Sequence, residues 1–192
     1  MPTSVTRVDS VAALSNTNAW AIGATQILHW NGSTWSIFPI HFTQGYTVLF
    51  SSISAASASD IWVTGGDLGP IGTGSFFAHF NGSSWQLLDN SSDAQFYNEG
   101  FTSIAAHSSN DALAVAFNVG DGKPAIDQWN GSSWIPVNPP ALPNPGRGKT
   151  ANAQFNTVTF TPSSDAWIGG YESISTQSMT TTRTLIEQCM EC

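Results

Sequence analysis

The sequence predicts an all-β fold, a propeller of four antiparallel four-stranded blades, and three observations carry that prediction. An aromatic-Asn-Gly-Ser-Ser/Thr-Trp phrase occurs three times, at Trp30–Trp35, Phe80–Trp85 and Trp129–Trp134. A second phrase, a small-residue stretch followed by a polar turn and an aromatic or leucine, occurs four times. It places Trp20, Trp62, Leu113 and Trp167 at spacings of 42, 51 and 54 residues (62−20, 113−62, 167−113). Charged residues make up only 9% of the 192-residue chain, with Ser, Thr, Asn and Gly supplying the polarity, as many short strands and turns require.

Each unit of about 50 residues reads as four strands, A to D. Strand A, for instance Ile53 to Ala56, carries small residues that suit a crowded centre. Strand B, Ile61 to Thr64, brings the aromatic. Strand C, Phe76 to Phe80, leads into the Asn-Gly phrase and strand D, Trp85 to Leu88, leaves it. Asn-Gly between aromatics signals a two-residue hairpin with positive φ at both central residues. Burying one tryptophan removes roughly 150–250 Å² from water, so the eight tryptophans read mainly as packing between blades. The whole chain, 1–192, reads as one domain, with blades at approximately 9–41, 50–90, 101–138 and 155–189.

The fourth repeat stops early. Ile126-Asp127-Gln128-Trp129 matches Ile186-Glu187-Gln188-Cys189, but no strand D follows before residue 192. An unpaired strand C is an exposed edge. Residues 3–8 alternate polar and apolar, so the expectation is that they complete the last blade, within the chain or from a partner chain. Dimerisation of two half-rings into eight blades and a larger propeller are the other outcomes.

Ile61-Trp62-Val63-Thr64-Gly65-Gly66 through Trp85-Gln86-Leu87-Leu88 resembles a kelch blade, as in bacterial kelch-like β-propeller proteins, and Ala166-Trp167-Ile168-Gly169-Gly170 repeats the double glycine. Blade one has Gly23-Ala24 and blade three Ala116-Phe117 in its place. The resemblance extends over nearly the whole chain and implies an interaction scaffold more often than an enzyme. The turn phrase is not the sialidase Asp-box.

The net charge of −8 and pI near 4.5 argue against nucleic acid and anionic membrane as partners. No apolar run approaches the 18 residues of a membrane span, and residues 1–7 have no signal-peptide core. The location is unknown from this chain; its composition leans extracellular. Cys189 and Cys192 form a Cys-x-x-Cys without the βαβ context of a thioredoxin-like site, and read as tail thiols. No cofactor or metal is expected. Asp89 to Asp93 has alternating oxygen ligands but lacks the glycine and final glutamate of an EF-hand loop.

Alternation of strands puts the short A–B and C–D turns on one face of the disc. The other face receives the longer B–C and D–A connections, including 66–75, 90–100, 118–123, 139–154 and 171–183. Binding residues favour such loops. The ligand-binding candidates there are His41, Tyr46, Asp67, Tyr97, Glu99, Asp121 and Glu172. No residue is assigned a catalytic role. The expected function is a non-enzymatic scaffold binding a protein or glycan on that face, with homo-oligomerisation through the incomplete fourth blade possible in principle. The alternative is a lectin with pockets repeated between blades. A third reading, a glycoside hydrolase, needs Asp127 and Glu187 in one cleft, whereas the simpler view of both is a surface-facing slot on strand C. His29, His79, Gln128 and Gln188 share a neighbouring slot and read as a repeated structural hydrogen bond.

Overall fold

The computed structural model describes residues 1–40, 47–69, 72–88, 99–118, 123–139, 146–147 and 149–189, and every regular element among them is a strand. The first sheet runs β1 (Ser10–Ser15), β2 (Asn18–Ile22), β3 (Ile27–Trp30) and β4 (Trp35–Phe38), each antiparallel to the next. The second runs β5 (Thr47–Ser57), β6 (Asp60–Gly69), β7 (Gly72–Phe80) and β8 (Trp85–Leu88). The third runs β9 (Glu99–Ser108), β10 (Asp111–Asn118), β11 (Pro124–Trp129) and β12 (Trp134–Val137). The fourth has three strands, β13 (Thr150–Phe160), β14 (Ala166–Ser175) and β15 (Thr180–Cys189). These four sheets are the four blades in a propeller-like arrangement, with strands in the order A to D.

The Asn-Gly phrases do close the C–D hairpins, with Trp30 paired to Trp35, Phe80 to Trp85 and Trp129 to Trp134. The turn itself differs from the two-residue type expected. Four residues bridge the strands, and only the glycine has positive φ, +94° at Gly32, +93° at Gly82 and +91° at Gly131. The asparagine instead works through its side chain. Asn31 Oδ1 accepts the N–H groups of Ser33 and Thr34, both at 3.0 Å, and Asn81 and Asn130 repeat the pattern. This is the local side chain-to-backbone bonding that makes Asn a turn residue without placing it in the left-handed region.

Strand A bends at a fixed place. The register of β5 on β6 slips between Phe50 and Ser52, that of β9 on β10 between Phe101 and Ser103, and that of β13 on β14 between Phe155 and Thr157. At this bulge the strand A backbone closes on strand B. A Cβ added to Gly65 would collide with the Leu49 carbonyl, and one on Gly170 with the Gln154 carbonyl. The double glycines of blades two and four are therefore one residue out of step: Gly65 and Gly170 are equivalent, while Gly66 and Gly169 are not. In blade three Ala116 takes the slot, and Phe117 lies over Gly100 on the facing strand.

The blades join through their inner strands. β1 packs on β5, β5 on β9 and β9 on β13. Ser52 Oγ accepts the Ile104 N–H at 3.2 Å, Ser103 Oγ the Val158 N–H at 3.2 Å and Ser10 Oγ the Ile53 N–H at 3.4 Å. One apolar cluster fills each seam. Trp20, Ile22 and Ile27 meet Phe50 and Ile53; Trp62 and Phe77 meet Phe101 and Ile104; Leu113, Val115 and Ile126 meet Phe155 and Val158. Trp134 stacks on Phe77, ring centroids 3.9 Å apart and planes 9° from parallel. The tryptophans at these seams are packing residues, as expected.

Among the described residues no comparable contact joins β13 back to β1. Residues 3–8 do not complete the fourth blade: they carry no strand and do not pair with β15. The reason is that they are used elsewhere. The Asp9 N–H donates to the Ile22 carbonyl at 2.8 Å, and the Arg7 carbonyl lies 2.7 Å from where a Cβ would stand on Gly23. Arg7 and Gly23 are sixteen residues apart, as are Leu49 and Gly65, and Gln154 and Gly170 (23−7, 65−49, 170−154). The N-terminal segment thus lies against the first blade at Gly23, as the Leu49 and Gln154 carbonyls lie against Gly65 and Gly170. Cys189 at the end of β15 is disulfide-bonded, contrary to the reading of the tail thiols as free.

Candidate functional site

Several connections read as loops are in fact paired strand. On the B–C side β6 continues to Gly69 and β7 begins at Gly72, so most of 66–75 is hairpin. Likewise β14 continues to Ser175 and β15 begins at Thr180, with Thr176 closing the turn on Met179. The Asn118 N–H donates to the Lys123 carbonyl at 2.7 Å, tying the third blade's connection at its base. This face therefore carries paired two-stranded ribbons in blades two and four.

His41, Tyr46, Tyr97 and Asp121 lie outside the described residues, as does 89–93. Of Asp67 and Glu99 the backbone is described. Asp67 pairs with Val48 and Gly74, and Glu99 pairs with Asn118. Glu172 pairs with Ala153 and Arg183. Counting from the bulge, Asp67, Asn118 and Glu172 are the same position of strand B, two residues beyond Gly65, Ala116 and Gly170. The sequence candidates Asp67, Glu99 and Glu172 therefore stand at one level of blades two, three and four.

The fourth blade shows what this level can hold. Glu172 is buried at 7% exposure, and its Oε1 takes a 2.8 Å ion pair from Arg183 Nη2. Its Oε2 is also buried and meets no donor among the described residues. On the other side of the same sheet the Tyr171 hydroxyl donates to Gln154 Oε1 at 2.7 Å, with the ring 36% exposed. A charged pair and an oriented aromatic thus share the root of the β14–β15 ribbon. Sequence reasoning passed over Tyr171 and Gln154. The signal was the parity of strand B, which turns Tyr171 to the same side as Trp167.

The carboxylates of the hydrolase reading do not share a cleft. Asp127 pairs with Ala114, which packs with Trp62 and Phe77 toward blade two. Glu187 pairs with Ile168, which packs with Val115 and Ile126 toward blade three. Directly paired residues project from the same face of a sheet. Asp127 and Glu187 therefore lie on opposite sides of the third sheet. Asp127 is also not surface-facing, being 1% exposed.

The opposite face has a cavity of about 440 Å³ between blades two and three. Its wall includes Ser57, Ser59, Asp60, His79, His107 and Ser108. Asp60 Oδ1 and His79 Nε2 are 2.6 Å apart, which resembles a catalytic dyad, but the contact is one of four. Asn18 and His29 meet at 3.0 Å, Gln128 donates to Asp111 at 3.4 Å and Gln188 to Asp165 at 3.2 Å. The shared slot is a structural bridge between strands B and C, as its repetition suggested. The bridging groups feel their surroundings: burial lowers the pKa of His29, and the hydroxyl of Ser163, 2.6 Å away, leads in holding Asp165 below its ordinary value. Asp60 differs in keeping a buried Oδ2 that meets no partner among the described residues, and His107 Nε2 contacts the Ser164 hydroxyl at 2.9 Å.

The chain matches no family model and no curated protein. Among solved structures it is similar to a protein of unknown function from Bacteroides caccae, at 10% identity and a TM-score of 0.49, over 96% of this chain and 62% of that one. The chain thus spans less than two thirds of that protein's length.

Proposed function

We propose that the chain is a kelch-like, non-enzymatic binding scaffold whose protein or glycan ligand engages the face bearing the B–C and D–A connections. The observation that supports this reading is the root of the β14–β15 ribbon. There Tyr171, held by Gln154, and Arg183, held by buried Glu172, are presented by paired backbone. Rigid aromatic and guanidinium groups contribute most to protein and carbohydrate recognition because little freedom is lost on binding. The separation of Asp127 and Glu187 by a sheet removes the main support for glycoside hydrolysis.

The lectin alternative has one observation in its favour, the polar cavity lined by Asp60, His79 and His107 on the opposite face. A glycan array probed with the protein and its Tyr171→Ala and His107→Ala variants separates the two. Glycan binding lost in Tyr171→Ala and kept in His107→Ala supports the ribbon face. The reverse moves the site to the cavity. Release of reducing sugar from an array ligand would overturn the non-enzymatic reading.

A further inference from the structure

Two departures from the repeat face each other across the seam of blades three and four. The A–B turns of the first three blades run from a serine to Asn or Asp three residues on, Ser15 to Asn18, Ser57 to Asp60 and Ser108 to Asp111. In each, the serine hydroxyl accepts the N–H of the second residue along, Thr17, Ser59 or Asn110. The fourth blade takes one residue more, Thr161 to Asp165, and Thr161 Oγ1 accepts the Asp165 N–H at 3.1 Å. The added residue is accommodated at Ser164, whose φ of +72° is the only positive value among the described residues other than glycine. Serine seldom adopts this left-handed region, and such outliers cluster at functional sites. The hydroxyls of Thr161 and Ser163 turn in to Asp165. That of Ser164 leaves the turn and meets His107 Nε2 of blade three at 2.9 Å.

His107 is the second departure. Its slot, just before the turn hydroxyl, holds Leu14, Ala56 and Phe160 in the other blades. Unlike His29 and His79, it serves no bridge that recurs from blade to blade. Its ring lies against that of Phe160, centroids 5.2 Å and planes 38° apart, which sets the imidazole's orientation toward Ser164. Residues that the repeated scaffold needs recur in it; these two do not recur, yet they meet. With the ring proton on Nδ1, Nε2 accepts the Ser164 hydroxyl hydrogen, which is how a nucleophile and its general base are arranged. Ser164 is exposed, so a reagent can reach it.

We propose that Ser164 is a covalent modification site, a nucleophilic hydroxyl that accepts an acyl group from an activated ester or thioester with His107 as its base. Ser164 Oγ attacks the acyl carbonyl carbon as its proton passes to His107 Nε2. The carbonyl re-forms with expulsion of the alkoxide or thiolate, which takes the proton from His107. The products are a Ser164 ester and a free alcohol or thiol, with no change of oxidation state. One transfer per chain is proposed, not turnover. The site stands apart from the ligand face and survives if that reading fails.

The test uses p-nitrophenyl acetate, with intact-protein mass and peptide mapping. The wild-type chain is expected to release p-nitrophenolate in a burst equal to the protein present and to gain the mass of a single acetyl group, carried by Ser164. Ser164→Gly, in which glycine suits the positive φ, is expected to lose the burst. His107→Gln, which cannot take up the proton, is expected to acylate Ser164 about 100-fold more slowly. Far-ultraviolet circular dichroism checks that both variants are folded. Ser163, exposed in the same turn but bonded to Asp165, is expected to stay free of acetyl. No acylation of Ser164, acylation of Ser163 at the same rate, or an unchanged rate in folded His107→Gln overturns the proposal.

Discussion

Ser52 Oγ accepts the buried Ile104 N–H at 3.2 Å, and beside it Ser54 Oγ accepts the Ala106 N–H at 2.9 Å, so two side-chain hydroxyls join the inner strands of blades two and three. Removing the Ser52 hydroxyl leaves a buried backbone donor unpaired, which costs about 1–3 kcal/mol. Ser52→Ala is expected to lower stability by that amount in urea titration. Ser10→Ala, at the longer 3.4 Å and less buried contact with Ile53, is expected to cost less. Equal losses at the two sites would mean that the seam serines are not acting through these bonds.

The two glycines of Gly65-Gly66 have different jobs. A methyl at Gly65 meets the Leu49 carbonyl and the Phe50 Cα, which are backbone and cannot swing away. A methyl at Gly66 meets nothing closer than the Gly74 carbonyl at 3.6 Å. Gly65→Ala is expected to destabilise by about 3 kcal/mol, as overpacking against fixed backbone does. Gly66→Ala is expected to be neutral or to stabilise by about 0.5 kcal/mol, since alanine narrows the unfolded ensemble. Thermal unfolding of the two variants side by side checks the contrast.

This contrast also marks how far the sequence could be read. Its repeats were legible because each blade needs the same solution at Asn31, Asn81 and Asn130, and at Trp20, Trp62 and Trp167. The slot shared by His29, His79, Gln128 and Gln188 was legible for the same reason. What repetition hides is register. Gly65-Gly66 and Gly169-Gly170 look alike on the page, yet a one-residue slip at the strand A bulge makes only Gly65 and Gly170 equivalent. Residues 7 and 8, which pattern alone assigned to the fourth blade, lie by the first instead, with the Arg7 carbonyl beside Gly23. The side of the sheet that Asp127 occupies depends on its pairing with Ala114, and pairing is not written in spacing.

His29 supplies a pH dependence. Burial lowers its pKa, so the folded state resists a proton that the unfolded chain accepts near its ordinary value of 6.5. The unfolded state then binds more protons, and stability rises with pH through this window. The contribution is complete above pH 6.5 and is lost as the pH falls below it, toward the lowered folded value. His29→Gln keeps a donor for Asn18, as Gln128 does for Asp111, and has no proton to gain. The variant is expected to match the wild type above pH 6.5 and to lose less stability below it. Parallel pH profiles for the two proteins would rule His29 out as the source.

Arg183 and Glu172 make a different kind of pair. The carboxylate is buried while the guanidinium is 55% exposed, so the bond is charge-assisted at one end and wet at the other. Arg183→Ala leaves the Glu172 carboxylate buried with neither oxygen paired by a described residue. The cost of losing a hydrogen bond to a charged group is about 1.5–3 kcal/mol. Glu172→Gln removes the buried charge and keeps the packing, so the double variant Glu172→Gln with Arg183→Ala is expected to recover part of the loss. A double-mutant cycle in urea measures the coupling between the two residues. Additive losses, with no recovery in the double variant, would show that Arg183 is held at the ribbon root by something other than Glu172.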